Sequence, residues 1–222
     1  RGDWNGWGVN GRFSCADATV AIGIFVDDES VLAEGIEEFR RQMPASVHLV
    51  GDDTSAYTNL SGLPVPPQGT IYDKADIPAS TIHGLWFSPT KYVDGFAGET
   101  CRDMSHTMMG LGAMANLAEA ARNQGIDLYG EVEQRLVAAY ELHAGYIVDA
   151  LDNKPPSSNW VCNTAINMGG TGYRLGWEVA YNHFAGRRGL SLPKSQGLVQ
   201  RIRPSGTGLH MNWETLTHGG TP

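Results

Sequence analysis

No apolar run in this sequence approaches the roughly 20 residues of a membrane-spanning helix, so no helical span and no membrane partner are expected. Positive charge is also scarce. Sixteen Lys and Arg face 24 Asp and Glu, for a formal net charge of −8. Nucleic-acid binders carry a basic patch on a basic domain, so nucleic acid is not an expected partner. An acidic polymer is still admissible, because a local basic cleft can sit on an acidic protein. Cysteine is limited to Cys15, Cys101 and Cys162. With no C-x-x-C pair, a zinc ribbon is not expected, and at most one internal disulfide can form. His83, His106, His183, His210 and His218 are scattered without H-x-x-x-H spacing, so no metal is expected. Gly170-Thr171-Gly172 has no strand before it and no P-loop Lys after it. No serine stands in a G-x-S-x-G context. No cofactor is therefore expected. Repeats of fixed period and parallel-strand patterns are absent as well.

What the sequence does contain is helical periodicity interrupted by long loops. Its 222 residues suit one domain, and 41% hydrophobic content is enough for a full core. The opening, RGDWNGWGVN, sets Trp4 and Trp7 among glycines, as candidate sugar-stacking faces or as cover for a core edge. Residues 12–26 and 31–43 read as a helical hairpin, with Ser30 as the cap of the second helix and Pro44 as its stop. Residues 45–98 lose the helical period and gain proline, glycine and aromatics. They predict an ordered loop of over 50 residues that covers something. A helix is predicted over about 130–151, with Leu136, Tyr140, His143 and Ile147 buried and His143 as a core histidine. Another is predicted over 173–186. The fold class is all-α: antiparallel helix pairs with long loops gathered at one end.

The stretch from Gly98 to Tyr129 carries the candidate chemistry. Thr100 is a plausible N-cap and Gly125 a natural stop. Met104, Met108, Leu111, Ala115 and Ala118 form an apolar stripe. Glu99, Arg102 and His106 cluster on the opposite side. Arg102 and His106, four apart, are expected to share a helix face, which suits a carboxylate beside a proton-transfer group. Cys101 next to Arg102 could be an activated thiol, but a disulfide or buried thiol is the favoured reading.

GETCRDMSHTMMGLGAMANLAEAARNQGIDLYG resembles the E-x-x-R-D-x-x-H segment and following N-Q-G-x-D-L-Y of alginate-lyase-type polysaccharide lyases. VNGRFSCADATVAIGIFVDD, GWEVAYNHFAGRRGLSLP and RPSGTGLHMNWETLTHGG resemble three further blocks of that family, in the same order. The resemblance implies an incomplete (α/α) toroid, one domain over the whole chain that corresponds to the later part of the family fold. It also implies a secreted or periplasmic location and β-elimination of a uronic-acid polysaccharide.

By that resemblance, Asn10 and Arg102 neutralise the sugar carboxylate, His106 is a candidate base or base-orienting group, and the proton carrier is open between His106, Tyr181 and Tyr92. Trp4, Trp7, Tyr92, Glu99, Asn182, His183 and Arg187 complete the expected substrate-binding set. Two departures stand out: Gly11 follows Asn10 where better-known members have His or Trp, and Met108 or Met109 occupies the place of a catalytic tyrosine found in some relatives. Two other readings of the sequence are a toroidal glycoside hydrolase using Glu99 and Glu178, and a non-catalytic binder of acidic polysaccharide.

Overall fold

The structure is a computed structural model that describes residues 8–73, 76–169, 176–204 and 214–220. Among the described residues, helices are the only repeating structure, so the fold is all-α. None of these helices is long and apolar enough to cross a membrane.

Helices α1 (Val9–Val26) and α2 (Glu29–Gln42) form the first hairpin. Asp27 turns the chain in the left-handed region, with φ of 56°. The Asp28 carboxylate then caps α2, accepting from the N–H groups of Ser30 and Val31 at 2.9 and 3.2 Å. The cap therefore falls on Asp28 rather than Ser30, because extended backbone at Asp28 aims its oxygen at the first orphan donors. The hairpin closes tightly. A Cβ on Gly23 would stand 2.5 Å from the Leu32 nitrogen.

The central helix, α4 (Met104–Asn123), packs on α1 and on α5 (Leu128–Leu151). Its stripe of Met104, Met108, Leu111, Ala115 and Ala118 is buried throughout. Gly125, at φ of 82°, lets the chain reverse into α5. There Leu136, Tyr140, His143 and Ile147 are all buried. His143 is a satisfied core histidine: Nδ1–H donates to the Ala139 carbonyl at 2.7 Å, and Nε2 lies 2.8 Å from Thr100 Oγ1. Burial pushes its pKa down to about 4.

The long connection between α2 and α4 is ordered, as its aromatics predict. It holds one short helix that the sequence pattern does not reveal, α3 (Ala79–Leu85). Its two ends meet: the His48 N–H donates to the Phe96 carbonyl, and the Gly95 N–H to the His48 carbonyl, both at 2.8 Å. Arg135 of α5 staples the loop by pairing with Asp52 at 2.9 Å. Downstream, α6 (Glu178–Tyr181) runs into a π-helical turn, Asn182–Arg187. It packs on α4, on α7 (Pro193–Ile202) and on α8 (Glu214–His218), while α7 also packs on α5. Residues 173–175, expected to begin the helix, lie outside the described residues.

Candidate active site at the start of helix α4

Residues 98–103 form turns instead of the first turn of a long helix. Thr100 is not the cap. Its hydroxyl bonds the Ala97 carbonyl at 2.7 Å. Asp103 caps α4, accepting from the His106 N–H at 2.8 Å. Three non-local ties hold the turns open: Cys101 is disulfide-bonded to Cys162, the Met104 N–H donates to the Asn167 carbonyl at 2.7 Å, and Asn167 Nδ2 donates to the Arg102 carbonyl at 3.3 Å. Arg102 and Glu99 thus sit ahead of the helix, and Arg102 does not share a helix face with His106.

The turns nonetheless gather the polar groups. The second Asp103 oxygen lies 2.7 Å from His106 Nδ1. An ionised carboxylate only accepts, so the bond assigns the proton to Nδ1 and leaves the Nε2 lone pair as the basic site. His106 is 27% exposed, and no described residue bonds its Nε2. Glu99 is buried, and its carboxylate reaches Arg102 at 3.5 Å. Burial, the largest effect, pushes Glu99 up against the pull of Arg102 and His106. The contact is at the outer limit of hydrogen bonding, and the Arg102 side chain is 43% exposed.

Asn10 joins this group from the first turn of α1. A Cβ on Gly8 would collide with Glu99 Oε1 and stand 3.1 Å from Asn10 Oδ1. Gly110 gives the Asn10 backbone room on the other side, since a Cβ there would lie 3.4 Å from the Asn10 Cα. At 8% exposure, Asn10 forms the inner wall of the group and not an open cleft face. Tyr92 is half-buried in a nest of His48, Trp86 and Phe96, and its hydroxyl meets His83 Nδ1 at 3.0 Å. Burial pushes the phenol up to about 12. Trp4 and Trp7 lie outside the described residues.

The remaining expected residues form a different neighbourhood. Tyr181 is buried, and its charged neighbours are Arg203, Glu178 and Glu141, none of which is among the charged groups around Glu99. Burial raises its phenol, against Arg203. Asn182 follows it in the π-helical turn, half-buried. His183 stacks on Tyr129 at a centroid distance of 3.8 Å, and burial followed by Arg187 pushes its imidazole down. Arg187 pairs with Glu119 at 2.8 Å, near the C-terminal end of α4. Arg122 and His218 surround the same carboxylate. Burial alone would raise Glu119, but hydrogen bonds with His218, Arg122 and Arg187 hold it well below the usual carboxylate range. The structure therefore brings Asn10, Glu99, Arg102 and His106 together, and places Tyr181 at the end of α6 and His183 and Arg187 in the π-helical turn that follows.

Two features were not read from the sequence. Asp103 as the orienting carboxylate could have been found, since an Asp three residues before a His is the spacing of an N-cap and its N3 partner. Of the Glu119 cluster only Arg122, three residues on along the helix, has a local signal, because Arg187 and His218 come from separate segments. No protein-family profile, no curated protein and no solved structure matches the chain.

Proposed function

We propose that the chain is a polysaccharide lyase that cleaves a uronic-acid polymer by β-elimination, on helix pairs that belong to an incomplete (α/α) toroid. The observation that carries this reading is the Asp103–His106 pair beside the half-exposed Arg102. The reaction needs a charged group on the sugar carboxylate, so that the C5 proton becomes acidic, and a base to take it. Arg102 suits the first role; Asn10, at 8% exposure, stands beside Glu99 and is not open to the sugar. His106 Nε2 suits the second: it takes the C5 proton, the C–H electrons form the C4=C5 double bond, and the C4–O4 bond breaks. The same imidazolium then returns its proton to O4. Asp103 stabilises the imidazolium, and buried Glu99 positions Arg102 without reaching the sugar.

Tyr181 has no step in this scheme, and Asn182, His183 and Arg187 have no substrate contact in it. The hydrolase alternative is weaker, because Glu178 is fully buried and held by Arg203 at 2.7 and 2.9 Å, so its carboxylate is closed to a sugar. The Cys101–Cys162 disulfide favours a secreted or periplasmic location.

The test is incubation of the protein with alginate and with glucuronan, followed by ultraviolet absorbance and mass analysis of the products. Unsaturated oligouronates are expected, with kcat reduced about 10²-fold or more in His106→Ala. Saturated products would favour hydrolysis instead. Oligouronate binding by calorimetry without any product would assign the site to a non-catalytic binder.

A further inference from the structure

A cavity of about 570 Å³ opens between α5, α7 and the loop of residues 153–160, and none of its lining residues belongs to the His106 group. Small-ligand sites span roughly 300–1,000 Å³. The floor is hydrocarbon, formed by Leu142, Val148 and the edge of Tyr146. The Tyr146 hydroxyl is already committed to the Asn159 carbonyl at 2.9 Å. Its ring is 1% exposed, so no aromatic face is open for a sugar to stack on. Room comes from Gly197 on α7, while the Lys194 side chain lies against Gly145 on α5, where a Cβ would stand 3.2 Å from its Cδ. A Cβ on Gly197 would meet nothing within 4 Å.

The charge around the mouth is unusual for this chain. Of only four lysines, Lys74, Lys91, Lys154 and Lys194, one lines the cavity and two belong to its surroundings. Lys194 lines the cavity, Lys91 Nζ donates to the Ser158 carbonyl at 3.3 Å, and Lys154 lies in the same loop. Nearby acids are largely occupied. Asp152 pairs with Lys154 at 2.8 Å and also with Arg201. Glu141 accepts the backbone N–H groups of Lys194 and Ser195 at 3.1 and 2.8 Å. Asp149 is the lining carboxylate, and it also faces Lys154. No described residue pairs with the Lys194 ammonium.

We propose that this cavity binds an amphipathic monoanion, whose apolar chain or ring lies over Leu142 and Val148 and whose carboxylate pairs with Lys194. The trough supplies apolar burial, and the ammonium fixes the direction of the ligand. Such a site is independent of polysaccharide cleavage and does not rest on it.

Calorimetric titration of the full chain with decanoate tests the proposal, with decanol and decylamine as companions of equal chain length. Saturable single-site binding of decanoate is expected, with the two companions weaker by about tenfold or more. Lys194→Met should weaken decanoate by a similar factor. Gly197→Leu, which fills the empty space, should abolish binding. Circular dichroism establishes that each variant is folded; if Gly197→Leu is not, Lys194→Met and the companion ligands decide. Absence of saturable decanoate binding overturns the proposal, as does decylamine binding as tightly as decanoate, or unchanged decanoate binding in folded variants.

Discussion

The Asp103 carboxylate serves two partners at once, the His106 N–H at 2.8 Å and the imidazole Nδ1 at 2.7 Å. These roles separate by substitution, because capping needs an oxygen and the imidazolium needs a negative charge. Asn caps a helix about as well as Asp. Asp103→Asn should therefore leave the thermal midpoint close to that of the parent. It removes the charge that stabilises the protonated imidazole, and the neutral amide no longer enforces one tautomer. On the β-elimination reading, kcat should fall about 10²-fold while KM moves little. Asp103→Ala should lose the same turnover and, in addition, about 1 kcal/mol of stability as the cap goes. Kinetics and thermal melts on the two variants check this together. Equal kcat in parent and Asp103→Asn would reduce the residue to a helix cap.

At the scale of elements, helical periodicity in the sequence points to α1, α2, α4 and α5, although α4 is buried nearly all round, with Gly110, Gly112 and Ala113 covered as well as the Met104 stripe. It missed α3 and α8, which have seven and five residues. It also missed α7, where only Ser195, Leu198 and Val199 are buried. The start of α4 was placed too early for a physical reason. Residues 98–103 are pulled into turns by Cys162 and Asn167, partners some 60 residues away that no local rule can register. The same limit applies to the site. Glu99, Arg102 and His106 were legible as one cluster because they are neighbours in sequence. Tyr181 could be set beside them only by analogy, and packing against Arg203 and Glu178 takes it elsewhere. The disulfide closes a loop with a sequence separation of 61, for which chain entropy gives up to about 4 kcal/mol. Cys101→Ser with Cys162→Ser should lower the denaturation midpoint accordingly. Any turnover should fall as well, since the tie sits next to Arg102. A reductant should reproduce the loss in the parent and leave the double variant unchanged.

For the whole molecule, two buried groups with large shifts pull the pH dependence of stability in opposite directions. His143 is depressed from 6.5 to about 4 by burial, so its folded form prefers to be neutral. Its contribution is complete above pH 6.5 and is lost as the pH falls toward 4. Glu214 on α8 is raised from 4.5 to about 8, first by burial and then by the Glu178 carboxylate, against the Glu178 N–H. Its contribution is complete below pH 4.5 and is lost as the pH rises toward 8, at up to about 1.4 kcal/mol per pH unit. The two limbs leave a maximum between pH 4.5 and 6.5, below the neutral range, even though the sequence suggests nothing unusual at either position. Thermal midpoints measured across this range and up to pH 9 should decline on the alkaline side. Glu214→Gln cannot ionise, so it should remove that decline and raise the midpoint at neutral pH. A decline of equal slope in Glu214→Gln would show that the alkaline loss comes from other groups, such as the general repulsion of a chain with net charge −8. Added salt separates these causes, because it screens surface repulsion but leaves the desolvation of a buried carboxyl almost untouched.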